Sequence, residues 1–265
     1  VQIDLEGLVP YPDQPFRPYS QQKLEELAED IREHGVLSPV IVRPMGSQYQ
    51  ILAGHNRCAA SRLAGLTKVP CVVKDVDDSQ AELIMLSTNL QQRQLLPSEK
   101  AWAYRRQMET LAARKEAGAG LETVAQQNEE SRRTISYYIR LTYLKPAFLE
   151  LVDQKELPTR AGVELSYLTE DTQTRLLEYL QAYPKKISLK EAEALREASA
   201  GGQLTRTEIE NLLCSSTKRF SEKASLRFDK KELESFFPGK TQKEIQREVL
   251  EILKTHFQSR QLDNG

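Results

Sequence analysis

A glycine turn set between two short strands and a helix constrains this chain more than any other feature: Tyr49 to Val73, YQILAGHNRCAASRLAGLTKVPCVV. Tyr49-Gln50-Ile51-Leu52 alternates as a half-buried strand does, and Val69 to Val73 is a second β-branched run. Between them Ala59, Ala60, Leu63 and Ala64 recur at helical spacing, and Gly65 stands where a helix C-terminal glycine belongs. Gly54-His55-Asn56-Arg57 therefore occupies the entry to a helix N-terminus. Free backbone N–H groups face outward there, the helix dipole favours negative charge, and Arg57 adds a planar cationic fork. These residues suit a phosphate; they also fit an ordinary βαβ turn with a surface arginine.

The 265 residues suffice for one large domain or two to three small ones. Lys+Arg 37 against Asp+Glu 38 leaves a net charge of −1, so no global basic field announces nucleic acid and local clusters must carry that argument. No apolar run is long enough to span a membrane and no signal-peptide pattern occurs, which points to the cytoplasm. The chain opens on Val1 rather than Met, leaving room for preceding residues. Cys58, Cys71 and Cys214 form no ligand set and are expected to be reduced and structural.

Residues 8–18 hold four of the twelve prolines and read as an extended lead-in. Ser20 caps a helix bearing Leu24, Leu27 and Ile31 that stops at His34-Gly35, and a strand is expected over Val36 to Arg43. After Asp75 the pattern is helical. Ser79 with Glu82 reads as a capping box, Leu90 to Pro97 as a break, and Ser98 as the next cap. Thr123 to Leu141 has the pattern of a helix-turn-helix, with Ser131 capping a second helix whose Ile135, Tyr138 and Ile139 face the core. Its outer side would carry Arg132, Arg133, Thr134, Ser136, Tyr137 and Arg140, able to reach phosphates and base edges. Glu129 holds the turn position where glycine is usual, and a plain helical hairpin with a solvated basic face fits the same pattern. Further helices are expected over 145–151, 160–168, 170–182, 188–198 and 204–213. The last segment reads as a strand, a short helix and a longer helix capped by Thr241 and Glu244, with Ile245, Val249, Ile252, Leu253 and Phe257 on one face. So small a module needs a partner copy of itself or a dock on the body.

Three ordered segments, GVLSPVIVRP (Gly35 to Pro44), YQILAGHNRCAASRLAGLTKVP (Tyr49 to Pro70) and TNLQQRQLLPSEKA (Thr88 to Ala101), resemble the ParB family of partition proteins. The lead-in Gln14-Pro15-Phe16-Arg17, the helix-turn-helix region and Gly162 to Leu168 extend the likeness to about residue 200, and the plasmid or mobile-element type of Gram-positive bacteria is the nearest in pattern. The resemblance implies an α/β ParB/sulfiredoxin-like CTP-binding domain over residues 1–90 and an all-α helix-turn-helix DNA-binding domain over 91–205. A linker over 206–224 and a C-terminal (β)αα dimerisation module over 225–265 would follow. It further implies CTP and Mg²⁺ as cofactors, a centromere-like double-stranded DNA site, a clamp that slides along DNA, a homodimer, a Walker-type partition ATPase as partner, and a cytoplasmic, nucleoid- or plasmid-associated location. By the family pattern Pro39, Val40 and Ile41 cradle the cytosine and ribose. Gly54, His55, Asn56 and Arg57 hold the triphosphate, Asn89 helps to coordinate Mg²⁺, and Gln91 and Arg93 add a polar and a cationic contact.

The chain departs from that pattern at four places. His55 stands for a glutamate, Asn56 for the first of two arginines, Thr88 for a second glutamate, and Gln92 for an arginine that Arg93 follows one position late. Slow CTP hydrolysis is thereby put in doubt, and CTP is expected to act mainly as a binding signal. Two rivals remain: a transcription regulator using the same CTP and DNA chemistry, and a redox or nuclease enzyme on a sulfiredoxin-like fold, in which Cys58 at the helix N-terminus would be activated.

Overall fold

The structure, a computed structural model, describes residues 1–92, 95–114 and 120–214, with 236–241, 244–245, 247–249 and 251 beyond them. It divides into two units, Val1–Ser216 and Thr217–Gly265.

The first unit opens on a five-stranded mixed sheet in the order β1-β5-β3-β4-β2. The strands are β1 (Gln2–Asp4), β2 (Leu8–Pro10), β3 (Val40–Met45), β4 (Gln48–Ala53) and β5 (Lys68–Val73). β3 and β4 form an antiparallel hairpin whose two-residue loop begins with Gly46 at φ 63°, the glycine that a primed turn requires. The strand expected from Val36 starts only at Val40, because Pro39 offers no N–H and the Ser38 and Pro39 carbonyls bond to Arg57 instead. It then runs on through Pro44, which is tolerated because the pairing of β3 with β5 covers only Val40 to Val42.

One face of the sheet packs Ile3, Leu5, Leu8, Val40, Val42, Ile51 and Val69 around the buried Cys58 and Cys71. Helix α1 (Gln21–His34) is capped by Ser20 Oγ, which accepts from the Lys23 N–H, and ends at Gly35 at φ 73°. It crosses α2 (His55–Leu63) through the small side chains of Ala28 and Ala60 beside Ile31.

Helices α3 (Asp78–Gln92) and α4 (Pro97–Ala113) lead into the helical part. Two expected caps are corrected here. Asp77, not Ser79, starts α3, its Oδ1 accepting from the Gln80 N–H at 2.7 Å, and Glu82 turns instead to Arg106 and to Thr110 Oγ1. Pro97 occupies the first turn of α4, so Ser98 lies inside the helix and donates its N–H and hydroxyl to Asp153 at 3.0 and 2.6 Å. Helices α5 (Leu121–Gln127) and α6 (Arg132–Leu141) close a core with α4 built on Tyr104, Leu111, Val124, Ala125 and Ile135. Glu129 does stand in the left-handed region between them, at φ 55°. Helices α7 (Pro146–Asp153), α8 (Thr159–Leu165), α9 (Glu170–Ala182), α10 (Leu189–Ser199) and α11 (Arg206–Cys214) enclose a second core around the fully buried Phe148, Leu165, Leu176 and Leu195.

In the second unit the Thr241–Glu244 cap is present, Glu244 Oε2 accepting from the Thr241 N–H at 2.8 Å and its hydroxyl at 2.6 Å. The linker expected over 206–224 is corrected at its start, where residues 206–214 form α11 with Ile209 and Leu213 buried in the second core. Residues 215–224, the expected strand near Ser225, and the helix face at Ile252, Leu253 and Phe257 lie outside the described residues.

Candidate functional site

Gly54 precedes α2 at φ 103°, a backbone that only glycine adopts without strain. A Cβ there would meet the Arg57 guanidinium and Val40 Cγ2, each at 3.2 Å. The turn therefore admits no side chain, and the first amides of α2 stay open to a ligand. Arg57 folds back over the turn and its Nη1 donates to the carbonyls of Ser38 and of Pro39, the latter at 2.7 Å. Burial lowers its pKa, yet a guanidinium stays charged throughout the working range.

His55 and Asn56 each combine an acceptor with a donor, which neither a glutamate carboxylate nor an arginine guanidinium does. The His55 Nε2 accepts from the Tyr11 N–H at 3.2 Å, and burial pushes its pKa down to about 4, so the ring is neutral. With Nε2 accepting, the ring proton sits on Nδ1, a donor left over among the described residues. Asn56 Oδ1 likewise accepts from the Tyr19 N–H at 3.2 Å and leaves the Nδ2 donors over. Around the turn the chain thus presents backbone N–H groups, one imidazole N–H, one amide NH₂ and a guanidinium. Among the described residues of the turn, every side-chain group left over from these bonds is a donor and none is anionic, which is the electrostatics an anion needs.

A cavity of about 230 Å³ opens on this turn, lined by Gly54, His55, Asn56, Arg57 and Asn89 on one side and by lead-in residues 14 and 16–19 on the other. It is smaller than the roughly 300–1,000 Å³ of pockets that enclose a whole drug-sized ligand, and suits a phosphate chain. Asn89 donates Nδ2 to the Met85 carbonyl at 2.8 Å, while Thr88 bonds back to Ile84 at 2.7 Å. The Asn89 amide oxygen is thus the free end of that side chain among the described residues.

Pro39, Val40 and Ile41 do not line this cavity. Pro39 is exposed above it with its carbonyl on Arg57, Val40 is buried in the sheet, and Ile41 is half-buried. Gln91 is exposed on the last turn of α3 away from the cavity, and Arg93 lies outside the described residues. The lead-in wall was missed as a site by sequence reasoning; its only signal was the density of prolines. Cys58 is buried and its thiol is pushed up to about 11 by burial, so the activated thiolate needed by a redox enzyme is absent.

On the helical side, Ser131 Oγ accepts from the Thr134 N–H at 3.0 Å and α6 presents Arg132, Arg133 and Ser136 to solvent, with Thr134 and Tyr137 half-buried. Arg132 pairs with Glu122 of α5 at 3.0 Å, both exposed, an ion pair a phosphate could replace at little cost. Arg133 donates to the Tyr137 hydroxyl at 3.0 Å, and that bond holds the phenol below its usual pKa. Arg140 differs from the expectation of an open reading residue. It donates to Ser166 Oγ and O at 3.1 and 2.9 Å and stacks 3.9 Å above the Tyr167 ring, which also carries Arg196 at 3.8 Å. Two guanidinium groups so close to one ring must lie on opposite faces, so Arg140 braces α6 against the end of α8 and α10.

Residues 1–90 match the ParB N-terminal domain family and residues 93–215 the ParB HTH domain family. The chromosome-partitioning protein Spo0J of Thermus thermophilus is 37% identical over 200 residues, covering 76% of this chain and 71% of that protein. The C-terminally truncated chromosome-partitioning protein ParB from Caulobacter crescentus, solved in complex with the centromeric parS site, is 28% identical with a TM-score of 0.52. That match covers 75% of this chain and 99% of that one. The same truncated protein solved with CTP-gamma-S is 31% identical over 68% of this chain and 98% of that chain, with a TM-score of 0.34.

Proposed function

The chain belongs to the ParB family, and from that premise we propose that it is a CTP-dependent, site-specific DNA-binding protein that loads at a centromere-like site and closes into a sliding clamp for partition. The single observation that carries the reading is the donor-only turn at Gly54 to Arg57, which faces the lead-in across one small cavity. The phosphates sit on that turn. The base lies outside the cavity, toward Ser38 and Pro39, whose carbonyls keep a second lone pair beside Arg57 and offer acceptors only. Acceptors match the exocyclic amino group of cytosine and disfavour the carbonyl that uracil carries at the same position; selection against the purines rests on the family reading.

Bound with the triphosphate, Mg²⁺ would neutralise part of the phosphate charge. Among the described residues no three His, Cys, Asp or Glu side chains cluster as a metal cage, and the Asn89 oxygen is the candidate protein ligand. With His55 neutral and Thr88 bonded to its own helix, no carboxylate stands at those two positions to orient water, so CTP serves as a binding signal. The DNA side is carried by Arg132 and Arg133. The plasmid type, the partition ATPase and self-pairing through residues 225–265 belong to the same proposal.

The test is retention on closed circular DNA bearing the cognate site. The reading expects CTP with Mg²⁺ to retain the protein after a salt challenge and linearisation to release it. Retention that is the same without nucleotide, or the same on DNA lacking the site, overturns it.

A further inference from the structure

The lead-in from Tyr11 to Tyr19 is tied down along its whole length, and the ties go to different places. At both ends they reach the first turn of α2: the Tyr11 N–H to His55 Nε2, and the Tyr19 N–H to Asn56 Oδ1, each at 3.2 Å. In the middle they reach the helical part. Arg106 of α4 donates to the Asp13 carbonyl, the Arg17 N–H donates to Glu99 Oε1 at 2.7 Å, and Arg17 Nη2 donates to Asp153 Oδ2 at 3.1 Å. Phe16 is buried against Met85 and Leu86 of α3 and Ala103 of α4. The segment also walls the phosphate cavity on one side and, through Arg17, Pro18 and Tyr19, a wider groove of about 700 Å³ on the other.

We propose that His55 and Asn56 are positioning residues that hold Tyr11–Tyr19 as a strap across the phosphate turn, and that the strap carries the occupancy of that turn to the DNA-binding helices. The proposal rests on the nucleotide reading above and gives that site its regulation. Each of the two side chains spends its acceptor atom on the strap and keeps a donor for the ligand. A phosphate that draws on His55 Nδ1–H or Asn56 Nδ2 fixes the same side chain that holds the strap end, so ligand and strap order each other. The middle of the strap is bonded to Glu99 and Asp153, and Asp153 also accepts from the first turn of α4 at Ser98. Ordering the ends therefore biases how α4 and α7 are held. By linkage, DNA that favours the same arrangement tightens the nucleotide by the same factor.

Amide exchange on the full chain, resolved by residue, tests this with three proteins: wild type, Asn56→Asp, which keeps the acceptor and loses the donors, and Asn56→Leu, which loses both. Without nucleotide, Asn56→Leu should speed exchange at Tyr19 about fivefold, the weight of one ordinary hydrogen bond, and Asn56→Asp should not. CTP with Mg²⁺ should slow Tyr11 and Tyr19 in the wild type, and with them Arg17 and Ser98 on the helical side. Equal exchange at Tyr19 in all three nucleotide-free proteins overturns the strap. CTP that slows Tyr11 and Tyr19 but leaves Arg17 and Ser98 unchanged overturns the transmission. Absence of CTP binding in the wild type overturns the nucleotide reading, and the nucleotide-free comparison still decides the strap. A melting curve on each variant shows that it is folded.

Discussion

Acid should loosen the strap end at His55 before the rest of the fold gives way. The folded pKa of His55 is about 4 against an ordinary 6.5, because burial disfavours the imidazolium. The folded value lies below the unfolded one, so between those two pH values the unfolded chain binds a proton that the folded chain does not. Stability is therefore full above about pH 6.5, falls as the pH drops toward 4, and levels off below it. A shift of two and a half pH units at 1.36 kcal/mol each gives about 3 kcal/mol as the upper size of the loss. His55→Gln keeps an acceptor for Tyr11 and removes the titration. Urea unfolding of both proteins at several pH values between 7 and 4 should show the wild type losing up to about 3 kcal/mol more than the variant, since the carboxylates common to both cancel. Parallel curves for the two proteins would refute the buried, neutral acceptor assigned to His55.

Two further outcomes follow from packing and charge. Gly162→Ala places a Cβ 3.0 Å from Val152 Cγ2 and 3.2 Å from Leu141 Cδ2, so it should destabilise the helical part by about 1–3 kcal/mol in chemical denaturation, and an unchanged midpoint would contradict the tight packing of α8 on α6 and α7. Arg132→Ala with Arg133→Ala should weaken binding to all DNA sequences and reduce the salt slope by about one for each phosphate that the arginines no longer neutralise. An unchanged slope would move the DNA face off α6.

Local signals gave the sequence reading its reach. Ser20 and Ser131 cap the helices they precede, because a cap is decided within three residues, and Gly35 and Gly65 carry the positive φ that stops a helix. Ser79 and Ser98 misled for the same local reason. A capping side chain two residues away is equally good in sequence, and what chose Asp77 was its bond to Gln80, while Ser98 was claimed by Asp153, 55 residues on. The phosphate turn was legible because Gly54 to Arg57 and the helix they open are contiguous. The opposite wall was not. Its ties span 44 residues from Tyr11 to His55, 37 from Tyr19 to Asn56 and 136 from Arg17 to Asp153, and no periodicity records interactions of that range. Arg140 was misplaced on the open face because its partners, Ser166 and Tyr167, belong to a different helix pair.

The Ser38–Pro39 carbonyls should favour CTP over UTP, and the family reading adds selection against ATP and GTP. Isothermal titration of the protein with CTP, ATP, GTP and UTP in turn, each with and without Mg²⁺, measures that selection directly. Saturable binding of CTP, strengthened by Mg²⁺, with the other three nucleotides failing to saturate is the expected result. Equal affinity for all four nucleotides, or none for CTP, would contradict it.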